Sequence, residues 1–210
     1  DISNNGSIKV DSSTSGVGIY ALAGSTGTGA NNTGNIEITG GNSVGIFAEN
    51  SNIGYNGNVT IDNVTSGIGM YSKATAGNTS SVTNNGLLSL GANVTGMYSE
   101  GVSSANSGNI VNTGTITSLA SSDKAIGMYI GSNGKGNNTG TISLTALGTD
   151  ESQVGVYNSG EFDMSAGSIY VSSQDGAGLY TTGSTTVTNL SGGTITAENG
   201  AVGIYMDNSA

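Results

Sequence analysis

Asn112-Thr113-Gly114-Thr115-Ile116-Thr117 is followed shortly by Ile126-Gly127-Met128-Tyr129, and the pair then returns as Asn137-Asn138-Thr139-Gly140-Thr141-Ile142-Ser143-Leu144 and Val154-Gly155-Val156-Tyr157. The first element is Gly, polar, apolar, polar, apolar, usually preceded by Asn or Thr. That is the two-residue period of a strand, in which alternate side chains share a face. Its glycines are Gly6, Gly34, Gly57, Gly86, Gly114, Gly140, Gly167 and Gly193. The second element is a small or apolar residue, Gly, an apolar residue, then an aromatic. It ends at Tyr20, Phe47, Tyr71, Tyr98, Tyr129, Tyr157, Tyr180 and Tyr205. Two motifs, each in eight copies at about 26 residues, define an internal repeat of solenoid length.

Alternation assigns the faces. Ile36 and Ile38 are expected inward, with Asn35 and Glu37 outward. By the same rule Val17 and Ile19 share the inner face, while Gly18 and Tyr20 lie opposite. A weaker third apolar position recurs at Val82, Val111 and Val187. Three strands per period predict a three-sided coil whose Asn, Gly, Ser and Thr clusters are corners, where Gly and Asn accept positive φ. The expected fold is all-β: a right-handed parallel β-helix of about eight three-sided coils of about 26 residues, the hand following from the chirality of parallel crossovers. Residues 1–210 read as one segment of it. Because the chain starts on a strand motif and stops soon after Tyr205, it is expected to be an excerpt that stacks on further coils of a longer solenoid.

Composition agrees with this reading. Gly, Ser, Thr and Asn supply 118 of 210 residues, a load that penalises helix. The 31 Ile and Val residues suffice for a thin apolar stripe, which is what a solenoid buries. There is no His or Cys, which removes Ser-His-Asp and thiol catalysis, zinc fingers and haem ligation. No metal or cofactor site is expected. Four scattered lysines in a chain of net charge −10 argue against a nucleic-acid partner. No apolar stretch is long enough for a membrane span, so no direct membrane insertion of this segment is expected.

The Asn-Thr-Gly-Thr-Ile and Gly-Met-Tyr signatures at 112–116 and 127–129, with Asn137–Ile142, resemble the passenger regions of Gram-negative type V autotransporters, most closely the long surface adhesins of fusobacteria. The likeness covers all eight repeats and consists of repeat grammar, with no site motif. It implies display at the bacterial cell surface, attached to the outer membrane through a barrel outside this stretch. It also implies a non-enzymatic role in attachment to host cells or other bacteria. The expected partner is a host-cell or bacterial surface protein or a neutral glycan. A polysaccharide-processing β-helix enzyme (a depolymerase or lyase) and a passive spacer stalk are the alternatives.

Gly41-Asn42-Ser43-Val44-Gly45 fits the nucleophile-elbow pattern, but that motif needs a strand-to-helix turn and a histidine; here it reads as a corner entering a strand. The stacked aromatics form an expected structural ladder that can also offer a flat strip to a ligand. Corner length points elsewhere: the interval from first-strand Gly to aromatic is usually 12 to 14 residues, and reaches 15 before Tyr129 and 17 before Tyr157. These adjacent corners make Asp123, Lys124, Asp150, Glu151 and Gln153, with Tyr129 and Tyr157, the candidate lateral ligand contacts.

Overall fold

The computed structural model describes residues 2–12, 14–27, 32–119, 123–146, 152–183 and 187–207. These residues form twenty-three strands and no helix. The strands assemble into three parallel sheets of eight, eight and seven members. The chain is therefore a parallel β-helix of seven complete three-sided turns, about 27 residues each, plus two sides of an eighth. The eight motif copies number the strands of two sheets, which is one more than the closed turns.

The first sheet runs from Ser7–Asp11 to Thr194–Glu198 and obeys simple alternation. Ile36 pairs with Val59 and Ile38 with Ile61; Ile116, Ile142 and Ile169 continue the inner column. All of these except Ile36, at 1%, are wholly buried, whereas Asn35, Glu37 and Thr141 are exposed. Each turn contributes only a few apolar side chains, and stacking on the next turn removes them from water.

The second sheet, from Ser15–Ala21 to Val202–Asp207, corrects the expected parity. Ile46 is buried, but Val44 is partly exposed and lies on the outer side with Phe47; at the end turn Val17 is 45% exposed while Ile19 is buried. The inner position two before the aromatic is taken by glycine as well. Strand pairing accordingly runs Val44 to Ile68 and resumes at Ile46 to Met70. Two successive inward residues shift the alternation by one, as a bulge does. The cause lies across the core: a Cβ on Gly45 would stand 2.5 Å from the Gly69 carbonyl oxygen and 2.9 Å from Val59 Cγ1. On Gly127 it would stand 2.5 Å from the Gly155 oxygen and 2.7 Å from Ile142 Cγ2. The first sheet's branched aliphatic side chains fill the narrow interior here, so this column must be glycine.

The third sheet runs from Thr26–Gly27 to Val187–Leu190. Its inner column holds Ile53, Val82, Ile110 and Phe162, all at most 2% exposed. Val111, grouped with Val82 as the recurring third apolar position, pairs with Thr83 on the outer side, and Ile110 takes the place opposite Val82. Val187 is in register with Glu161, one position before the inner column.

An amide column closes the third side. Asn84 Nδ2 donates to Asn112 Oδ1 at 2.8 Å, and Asn112 Nδ2 donates to Asn138 Oδ1 at 2.8 Å, all three residues being fully buried. Asn84 Oδ1 also accepts the N–H of Gly86 at 3.3 Å, which fixes the corner. At Tyr55 a phenol takes the rung: its hydroxyl donates to the Gly34 carbonyl at 3.0 Å and accepts from Asn4 Nδ2 at 2.9 Å. Met164 and Leu190 end the column. With no amide to hold the turn, one more residue precedes the corner glycine, and Gly167 and Gly193 adopt φ of 80° and 85°.

Candidate functional site

The eight expected aromatics form one continuous ladder on the outside of the second sheet. Neighbouring ring centroids lie 4.6 to 5.1 Å apart. Six contacts are stacked within 26°, and Tyr98 meets Tyr129 edge-on at 78°. Centroids spaced by the strand repeat can bring faces to ~3.5–4 Å only if the rings lean by roughly 40° from the plane across the rod. The edge-on Tyr98–Tyr129 contact divides the ladder into two stacked runs. At this junction Tyr98 lies against Gly131, where a Cβ would be 3.5 Å from its Cε2 and 3.6 Å from its hydroxyl. Any side chain longer than alanine at 131 would obstruct that ring.

Stacking occupies the ring faces, so the ladder offers solvent mainly edges and hydroxyls. Little flat ring face is therefore left open along the ladder. Four of the ladder's seven tyrosine hydroxyls donate to acidic side chains. Tyr20 donates to Glu49 at 2.8 Å, Tyr98 to Glu100 at 3.1 Å and Tyr180 to Asp207 at 3.1 Å; Tyr71 also donates to Glu100. Burial, then the charge and hydrogen bond of Glu100, push the Tyr98 phenol up to about 12. The same influences raise Tyr71 further, and burial followed by Tyr157 raises Tyr129. Beside the ladder stands the aliphatic column of Val44, Ile68, Ile126 and Val154, all partly exposed, which the shift in alternation turns outward.

The enlarged corners join the first sheet to the second. Asp123 and Lys124 are exposed; Lys124 has φ 55°, and the Asp123 carbonyl accepts the N–H of Asn93 at 2.8 Å. Gln153 is fully buried and donates from Nε2 to the Thr145 carbonyl at 3.4 Å, bracing the corner from within. It presents no surface to a ligand. Asp150 and Glu151 lie outside the described residues. Tyr129 and Tyr157 are partly exposed members of the ladder. Ile126 and Val154 open the same strands and so stand between these tyrosines and the corner.

Ser43, the central residue of the elbow-like pattern, is buried and donates to the Gly40 carbonyl at 3.0 Å. It serves the corner. Glu37 and Asp62 line one open groove on the first sheet. Glu37 pairs with Thr60 and Thr39 with Asp62, so the two acids are diagonal neighbours, about 7–8 Å apart at the backbone. Glu37 is 55% exposed and bridged to Lys9 at 3.6 Å. Among the described residues no group of three or more His, Cys, Asp or Glu could hold a metal ion.

A recess on the corner between the second and third sheets was not read from the sequence. It measures about 330 Å³ and is bordered by Ser104, Asn133, Lys135, Ser159 and Glu161, with Gly134 and Gly160 beneath. The 101–107 segment projects there as a small hairpin, while the next two corners, 131–134 and 159–160, stay short. The sequence signal was the long interval from Tyr98 to Gly114 beside glycine-rich corners.

The fold defines the class, a parallel β-helix built from stacked side-chain columns. Comparison with family models, curated proteins and solved structures finds no match to this chain.

Proposed function

We propose that this chain is a non-enzymatic β-helical segment of an autotransporter-type adhesin, displayed at a bacterial surface and presenting lateral corners for attachment. The repeat grammar supports this reading. One structural observation carries it: amide, glycine and aromatic columns run along an otherwise uniform rod, so its distinctive chemistry lies in corner excursions. Host-cell or bacterial surface proteins and neutral glycans are the partners such corners suit. The acidic balance disfavours polyanions.

Beads coated with the purified chain should adhere to host cells or to other bacteria above beads carrying a disordered acidic chain of equal charge. Adhesion no greater than this control, with the strand signal in circular dichroism intact, would overturn the reading in favour of a spacer. A second reading, polysaccharide processing, rests on the Glu37–Asp62 groove. It requires turnover of a polysaccharide that Glu37→Gln abolishes.

A further inference from the structure

We infer that the recess beneath the 101–107 hairpin binds a single neutral sugar ring through Lys135 and Glu161. This pair stands on adjacent strands in register, with Nζ 3.1 Å from Oε2. It is the shortest of the three ion pairs among the described residues, and its side chains are 39% and 41% exposed. Each member therefore keeps open hydrogen-bonding directions. A cation that donates and a carboxylate that accepts, one hydrogen-bond length apart, match two neighbouring ring hydroxyls: one accepts from Lys135 while the other donates to Glu161.

The surroundings suit the same ligand. Asn133 and Ser104 add groups that both donate and accept, and the pair's charges cancel, so the lining favours a neutral polyhydroxylated molecule over a charged one. Beneath, the corner backbones stack directly: a Cβ on Gly160 would fall 2.5 Å from the Gly131 carbonyl oxygen. Gly134 and Gly160 leave this part of the lining without side chains of their own. The hairpin is held in place beforehand. Val102 N–H donates to Asn106 O at 3.1 Å, Asn106 N–H donates to Ser103 O at 3.0 Å, and Asn106 Nδ2 donates to Ser103 Oγ at 3.0 Å. A volume of about 330 Å³ lies at the small end of ligand sites, which fits one ring.

Saturation-transfer NMR on the purified chain, with methyl pyranosides of glucose, galactose and mannose as probes, tests this. At least one should bind saturably with Kd on the order of 1–10 mM, as expected for a shallow polar site. Glu161→Gln and Lys135→Met should each weaken it about tenfold or more. Ser104→Trp should block it from the hairpin side, leaving the ion pair in place. Lys9→Met, which removes a similar pair on the first sheet, should leave it unchanged. The site is refuted if no probe saturates below about 50 mM, or if Ser104→Trp and Glu161→Gln bind like the parent. It stands apart from the attachment reading: sugar binding without cell adhesion would keep the site and end that reading, while adhesion without sugar binding would do the reverse.

Discussion

The first and second sheets line the same core, yet only the first follows the alternation of its own sequence. In the first, Ile36 and Ile38 point inward because nothing across the interior prevents it. In the second, the space behind Gly45 and Gly127 is already occupied by Val59 and Ile142, so the strand shifts register and turns Val44 and Ile126 outward. Side-chain direction in a narrow solenoid is thus set by the opposite wall as well as by the strand.

The largest test of that contrast is Gly127→Val. Its Cβ would collide with the Gly155 carbonyl and Ile142, so we expect a loss of more than about 4 kcal/mol, or no folding, in urea denaturation. Ile126→Ser, one residue earlier but outward, should cost under about 1 kcal/mol. On the first sheet, Ile142→Asp buries an unpaired charge and should cost at least 3–4 kcal/mol, whereas Thr141→Asp should stay within about 0.5 kcal/mol. Equal losses from these two would undo the assignment of faces.

Asn112→Leu comes next. It leaves Asn84 Nδ2 and Asn138 Oδ1 without the amide between them, and about 2–4 kcal/mol should be lost. Tyr129→Ala removes two ring contacts and should cost about 1–3 kcal/mol; Tyr20→Ala, with one ring neighbour, should cost about half as much. The smallest effect is alkaline. Folding favours the neutral Tyr98 phenol, so its contribution is complete below about pH 10 and fades as pH rises towards 12. Ultraviolet titration of tyrosinate should show this late transition, and Glu100→Gln should move it to lower pH. An unchanged midpoint would show that Glu100 does not govern the ring.

Much of this architecture was legible because stacking imposes the same demand at every turn. The parallel β-helix, the inner positions of Ile38 and Ile61, and the aromatic register all follow from repetition. The outward placement of Val44 was not legible, since it depends on which first-sheet side chain faces Gly45. Val111 misled for a related reason: Ile110 and Val111 are equally apolar, and only pairing with Val82 and Thr83 separates them. The candidate site was least accessible. Corner lengths pointed to Asp123, Lys124 and Gln153, but length alone could not distinguish an exposed Asp123 from a buried Gln153. The recess at Lys135 and Glu161 needs one long corner to overhang two short ones, a relation between turns that no single repeat displays.

The amide column also constrains how such a chain can change length. Each of Asn84, Asn112 and Asn138 is joined to its counterpart one full turn away. Excising or duplicating a whole turn preserves that succession, whereas removing part of a turn takes the amides out of register with one another. Heritable changes in the rod should therefore come in whole-turn steps, each changing its length by about 4.8 Å. Smaller insertions survive where they project sideways at a corner, as residues 101–107 do. Rod length and corner shape can then vary separately, through duplication of turns for one and local corner growth for the other.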